Sequence, residues 1–121
     1  MSQKQAGIGR DFVRRYANYR PMIKQLLFQG TLNTSEEKAQ EIQFVVNRLV
    51  SLAVDNSDPS RRQAYLYLND NRALNLLFNQ VGQCCTEENG SYLRVEPVGC
   101  PEGASCMSRL TLPGAGHPFG H

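Results

Sequence analysis

No run of about 18 apolar residues occurs in this chain, which rules out a membrane-spanning helix. The first residues also lack the apolar stretch of a secretory signal; an organellar presequence stays open as an alternative, while the bases that begin there read as part of the domain. None of the ten glycines falls in the spacing of a phosphate-cradling or dinucleotide-binding loop. Histidine is confined to His117 and His121, in a tail with little to bury, so nucleophilic catalysis has no rigid base to draw on. The acid pairs Glu36-Glu37 and Glu87-Glu88 are adjacent in sequence and point to different faces, a poor layout for a general acid and base. The expectation is a protein that is not an enzyme and takes no cofactor. Closely paired metal ligands are missing as well. Cys84-Cys85 are adjacent, and five residues separate Cys100 from Cys106, whereas two thiolates that fold around one ion sit two to four residues apart. Zinc is therefore not expected. Free thiols are the expected state, with a disulfide as the less favoured alternative for an intracellular chain.

What is present is enough for one domain. At 121 residues, 40% of them hydrophobic and 20% charged, the chain can own a core but has no room for two. The net charge of +2 conceals a division. Residues 1–24 carry Lys4, Arg10, Arg14, Arg15, Arg20 and Lys24 against Asp11 alone, a net of +5. The remaining seven bases face ten acids, a net of −3. A basic arm ahead of a mildly acidic body points to an anionic partner at one end, nucleic acid above all. From Arg10 to Arg20 the bases alternate with Phe12, Tyr16 and Tyr19. That composition suits RNA, because guanidinium groups bridge phosphates while rings stack on exposed bases. The plainer reading is a solvated helical turn whose aromatics dock on the body.

Periodicity organises the rest. Thr31 to Thr34 reads as a short extended segment running into a long helix, with Thr34 and Glu37 as a capping box and Ser35 as the alternative cap. Ala39, Ile42, Val46, Leu49, Val50 and Ala53 form its apolar stripe, widened by Val45 and Leu52, with Phe44 to one side and Arg48 placed to suit the helix dipole. A preceding helix begins at Pro21 and stops at Gly30. A third begins with Asp58 as cap and Pro59 in its first turn, carries Arg61-Arg62, and uses Ala64, Leu66 and Leu68 as its apolar surface, with Tyr65 and Tyr67 on other faces. Asn69-Asp70-Asn71 interrupts it. A fourth helix then runs from Arg72 to Val81 and ends at Gly82. Tyr92 to Val95 before Pro97, and Met107 to Leu112 before Pro113, read as two antiparallel strands joined by a loose loop, with Thr31 to Thr34 as a third. The expected fold is α+β: three to four helices on a small, mostly antiparallel sheet. Residues 1–20 form a basic N-terminal arm, 21–112 the domain, and 113–121 an extended C-terminal tail.

The order and spacing of these pieces resemble the bacterial-type large-subunit ribosomal protein seventeen family, from about Gly9 to Leu112. The carrying residues are Gly9-Arg10, Arg14-Arg15 and the helix Met22 to Leu27; Leu32-Asn33-Thr34-Ser35 and Lys38-Ala39-Gln40-Glu41; Arg61-Arg62, Asp70-Asn71 and Leu77-Phe78; and the strand Gly90-Ser91-Tyr92-Leu93-Arg94-Val95. The resemblance implies a structural constituent of the large ribosomal subunit that binds large-subunit rRNA near the polypeptide exit and supports translation. It implies neighbouring large-subunit proteins as partners, no membrane and no homo-oligomer. Its implied RNA contacts are Arg10, Arg14, Arg15, Arg61, Arg62, Tyr92 and Arg94, which Lys4, Arg20 and Lys24 join on charge alone. The chain departs from the family in being only slightly basic and in lacking a basic residue in the loop after Gly99, so fewer phosphates can be met. That departure suits a mitochondrial ribosome, where reduced rRNA and added proteins change what each subunit touches, with plastid and bacterial ribosomes as alternatives. A free-standing protein-interaction or zinc-binding module of the same fold is the competing class, and a small hydrolase the third.

Overall fold

Helix α3 (Glu36–Asp55) runs through the middle of the computed structural model, which describes residues 8–84, 91–100, 103 and 106–113. It buries Ala39, Ile42, Val45, Val46, Leu49, Val50 and Ala53, the stripe its sequence spacing predicts. Each fully buried Val, Leu or Ile there contributes on the order of 1.5–3 kcal/mol. Ahead of it lie α1 (Arg10–Arg15), a single 3-10 turn at Ala17–Tyr19, α2 (Arg20–Gln29) and β1 (Thr31–Ser35). Gly30 closes α2 in the left-handed region at φ 88°, where glycine carries no Cβ penalty. Behind α3 come α4 (Asp58–Leu68), α5 (Asn71–Leu76), a wide π turn at Leu77–Val81, the short α6 (Gly82–Cys84), β2 (Arg94–Gly99) and β3 (Met107–Thr111). The α+β class holds, with α1 and the short α6 added to the four helices that periodicity predicts.

The cap of α3 is Ser35, whose Oγ accepts the Lys38 N–H at 3.4 Å, and not Thr34. Strand alternation explains the shift. Leu32 and Thr34 are the inward residues of β1, and Thr34 is buried opposite Ser108 of β3. The strand continues through Ser35, so the helix starts one residue later. Asn56 ends α3 in the left-handed region, and Ser57 caps α4 in place of the expected Asp58. The hydroxyls of Ser60 and Ser57 donate to the Asp55 carboxylate at 2.6 and 2.7 Å, and these bonds hold its pKa below the usual carboxylate range.

Helix α4 corrects the pattern read from its sequence. Ser60, Ala64, Tyr67 and Leu68 face inward, at true helical spacing, while Leu66 is 56% exposed. The Ala64, Leu66, Leu68 set steps by two residues, which is a strand period and cannot share one helix face. Asp70 caps α5, its Oδ1 accepting the N–H groups of Arg72 and Ala73 at 2.8 and 3.2 Å. Gly82 does not stop the helical run. Its φ is −63°, and a Cβ placed there would stand 2.8 Å from the Ala53 Cβ. Gly82 lets this segment close on α3.

The sheet has the order β1-β3-β2, antiparallel throughout. Strand β3 is central, with Ser108 and Leu110 turned to the core and Leu112 buried just beyond it. The edge strand β2 is displaced from the expected Tyr92 to Val95 stretch. It starts at Arg94 and runs through Pro97, which an edge strand tolerates, with a bulge between Pro97 and Gly99. Cys100 and Cys106 follow β2 and precede β3, and they are joined by a disulfide, not left as free thiols. The antiparallel register brings Gly99 opposite Met107, so the next residues outward meet at the mouth of the hairpin. Cys85, the Cys84 side chain, Glu87, Glu88, Lys4 and the tail 114–121 lie outside the described residues. Leu112 N–H donates to the Gly30 carbonyl at 3.0 Å, which ties the end of the sheet to the end of α2.

Candidate nucleic-acid interface

Residues 8–20 of the basic stretch pack on the body. Ile8 is buried and its N–H donates to Gln63 Oε1 of α4 at 2.8 Å. The Tyr67 hydroxyl donates to the Tyr16 carbonyl at 2.6 Å, so both ends of α1 are tied to α4. Burial raises the Tyr67 pKa well above the ordinary phenol range, and the hydroxyl stays a donor. The aromatics of this stretch dock on the body. Phe12 packs on Tyr16 and edge-on against Tyr67, with ring centroids 4.8 and 6.0 Å apart, and Tyr16 lies 5.7 Å from Phe44. With the rings inward, Arg10, Arg14 and Arg15 are exposed.

Arg10 and Arg15 open onto a cleft of about 450 Å³ between α1 and α3, lined also by Gly9, Asp11, Phe12, Tyr16, Phe44 and Arg48. By its place in the sequence Arg48 suits the helix dipole. It stands seven residues before the end of α3, beyond the last turn in which that effect acts. Its guanidinium lies 5.6 Å from the Phe44 ring centroid, and its Nε is buried with no hydrogen-bond partner among the described residues. The signal was an aromatic and an arginine four residues apart on an outward row of α3.

The other predicted contacts divide. Arg20 is used within the fold: its Nε donates to the Tyr67 carbonyl at 2.6 Å and its guanidinium lies 5.4 Å from that ring centroid. Lys24 is 3.3 Å from the Asp70 carboxylate. The bonds from Ala73 and Arg72, together with Lys24, lower the Asp70 pKa. Arg61 is half-buried, 4.8 Å from the Phe78 ring centroid, while Arg62 is exposed. Both line a largely apolar groove between α4 and α5 that includes Tyr65, Leu66 and Leu74. Tyr92 is half-buried. Its N–H donates to Asn47 Oδ1 at 2.9 Å, and Gln43 and Asn47 side-chain amides donate to Ser91 Oγ at 3.0 and 3.1 Å. Arg94 is exposed on β2. Helix α3 thus carries two neighbouring rows: Gln43 and Asn47 hold the chain entering β2, and Phe44 and Arg48 face α1.

The ribosomal protein L17 family profile matches residues 18–109, from the turn before α2 to the centre of the sheet. The chain belongs to that family. A large ribosomal subunit protein bL17 from Nitratidesulfovibrio vulgaris is 36% identical over 99 residues, covering 82% of this chain and 74% of that protein. The protein of the same name from Symbiobacterium thermophilum is 33% identical over 106 residues, 87% of this chain and 94% of its own length. One from Desulfovibrio desulfuricans is 37% identical over 97 residues, 77% of this chain and 57% of its own. Phe44, Arg48, Arg61 and Arg62 fall inside the profile match, and α1 stands ahead of it.

Among the described residues no group of three or more His, Cys, Asp or Glu could hold a metal ion, and no helix is long and apolar enough to cross a membrane.

Proposed function

We propose that this protein is a structural constituent of the large subunit of a bacterial-type ribosome and binds large-subunit rRNA through the α1 face and the cleft beneath it. The observation that carries the reading is the convergence of Arg10, Arg15 and Arg48 on one cleft in which Asp11 is the lone acid. Such a concentration of guanidinium groups, two exposed and one half-buried, is matched by phosphate and not by an uncharged surface. Family membership supports assembly into the large subunit. Placement near the polypeptide exit follows from the resemblance that the sequence carries. Low overall charge supports a mitochondrial setting, because more of the surface must then face neighbouring proteins, and exposed Leu66, Tyr65 and Val54 suit such neighbours. Of the nine predicted contacts among the described residues, Arg10, Arg14, Arg15, Arg62 and Arg94 are the exposed ones. Arg20 and Lys24 act mainly inside the fold.

The test is co-sedimentation of tagged full-length chain with large subunits. Neutralising Arg14 and Arg15 together is expected to reduce incorporation more than neutralising Glu87 and Glu88. Equal incorporation of the two variants would refute the role of α1. The zinc-binding alternative has lost two of its four thiols to the Cys100–Cys106 disulfide.

A further inference from the structure

The α1–α3 cleft contains two features that positioning of a phosphate backbone does not require. Phe44 is a large apolar ring left 46% exposed on α3. Its neighbours Phe12 and Tyr16 are tilted against it at 36° and 48°, with centroids 6.1 and 5.7 Å away, so neither ring is stacked face to face on it. Arg48 lies across the same ring, and its sheltered Nε has no partner among the described residues. An exposed flat ring beside a guanidinium group on the adjacent turn is costly when left wet, and one ligand can cover the ring while its anion meets the side of Arg48 that lines the cleft.

That ligand must offer a flat apolar face beside an anion. A carboxylate side chain would satisfy the guanidinium groups and leave the ring wet. A duplex would present phosphates, but its bases are stacked on one another and cannot reach Phe44. A nucleotide released from its neighbours meets both demands. We propose that this cleft holds one unstacked nucleotide of single-stranded or bulged RNA, its base against Phe44 and its phosphates on Arg48, Arg10 and Arg15. The proposal rests on the RNA-binding reading above and sharpens it. Phe44 and Arg48 set the preference for unpaired RNA, whereas exposed arginines such as Arg14 serve either form.

The experiment uses the full chain with a short RNA carrying one fluorescent adenine analogue, offered single-stranded and as a perfect duplex. Phe44→Leu keeps apolar bulk at an exposed position, so unchanged circular dichroism and melting certify its fold. Wild type is expected to bind the single strand more tightly and to change the analogue's fluorescence. Phe44→Leu is expected to weaken single-strand binding by about five- to a hundredfold and leave duplex binding within about twofold, the range that loss of one base stack gives. Arg48→Met is expected to weaken single-strand binding and lower its salt slope by about 1. Wild type that binds both forms alike, or a Phe44→Leu variant with wild-type single-strand affinity, would overturn the nucleotide site and leave the rRNA-binding reading standing. Wild type that binds neither form at low salt would overturn both.

Discussion

Replacing Gly82 by alanine tests how the C-terminal helical segment is held against α3. The backbone is already helical there, at φ −63°, so alanine meets no conformational barrier and should gain about 1 kcal/mol in helix propensity. Against that gain stands a collision. The new Cβ would lie 2.8 Å from Ala53 Cβ, 3.0 Å from Ala53 O and 3.1 Å from Ala53 C. Two of these atoms are backbone and the third is a methyl with no rotamer to change, so relief requires the segment to move off α3. Overpacking of this kind costs about 1–3 kcal/mol, and the net expectation is a loss of up to about 2 kcal/mol. In a chain of this size that corresponds to a fall in Tm of up to about 8 °C. The assay is a double-mutant cycle by thermal or urea unfolding. Ala53→Gly alone should destabilise by about 1–2 kcal/mol through propensity and a lost methyl contact. Combined with Gly82→Ala it should cost less than the sum, by up to about 1 kcal/mol, because the nearest of the three contacts is gone while the two backbone contacts stay. Strict additivity of the two changes would refute a part for the Ala53 methyl, and a Gly82→Ala variant more stable than wild type would refute close approach as the reason for glycine at this position.

Ser35→Ala should cost about 1 kcal/mol of stability as the lost cap of α3, measured by urea unfolding. Asp70 has a lowered pKa in the folded chain, so its contribution is complete above about pH 4, the ordinary value, and is lost as pH falls through the lower folded value. Asp70→Asn should therefore flatten the acid limb of a stability-against-pH curve below about pH 4. Reduction of Cys100–Cys106 should lower stability by about 2 kcal/mol, the loop-closure value for a ring this short, in calorimetry with and without reductant.

Much of this fold could be read from the order of residues because single local rules decide it. Gly30 fits the left-handed end of α2, the α3 stripe is long enough to average out exceptions, and alternation in β3 follows from one buried face. The errors arose where two rules compete. Thr34 and Ser35 are both acceptable caps, and only the pairing of β1 with β3 decides which residue still belongs to the strand. Tyr67 reads as lying on another face than Ala64 and Leu68, yet it is buried with them and its hydroxyl partner is the Tyr16 carbonyl, 51 residues earlier. Gly82 reads as a terminator until its distance to Ala53 is known. The disulfide depends on strand register, which spacing between cysteines does not express. At the candidate interface, the charge asymmetry identified α1, while Arg48 was invisible as a contact because it lies 33 residues after Arg15 and joins it only when α1 folds back over α3.

The most direct test of the account is the salt dependence of full-length protein binding to large-subunit rRNA, compared with the triple variant Arg10→Gln, Arg15→Gln, Arg48→Gln. Each neutralised phosphate adds about 0.7–0.9 to the slope of log K against log salt, so loss of three guanidinium groups should show as weaker binding and a slope shallower by about 2–3. A variant with the same affinity and the same slope as wild type would contradict the claim that these three guanidinium groups hold RNA.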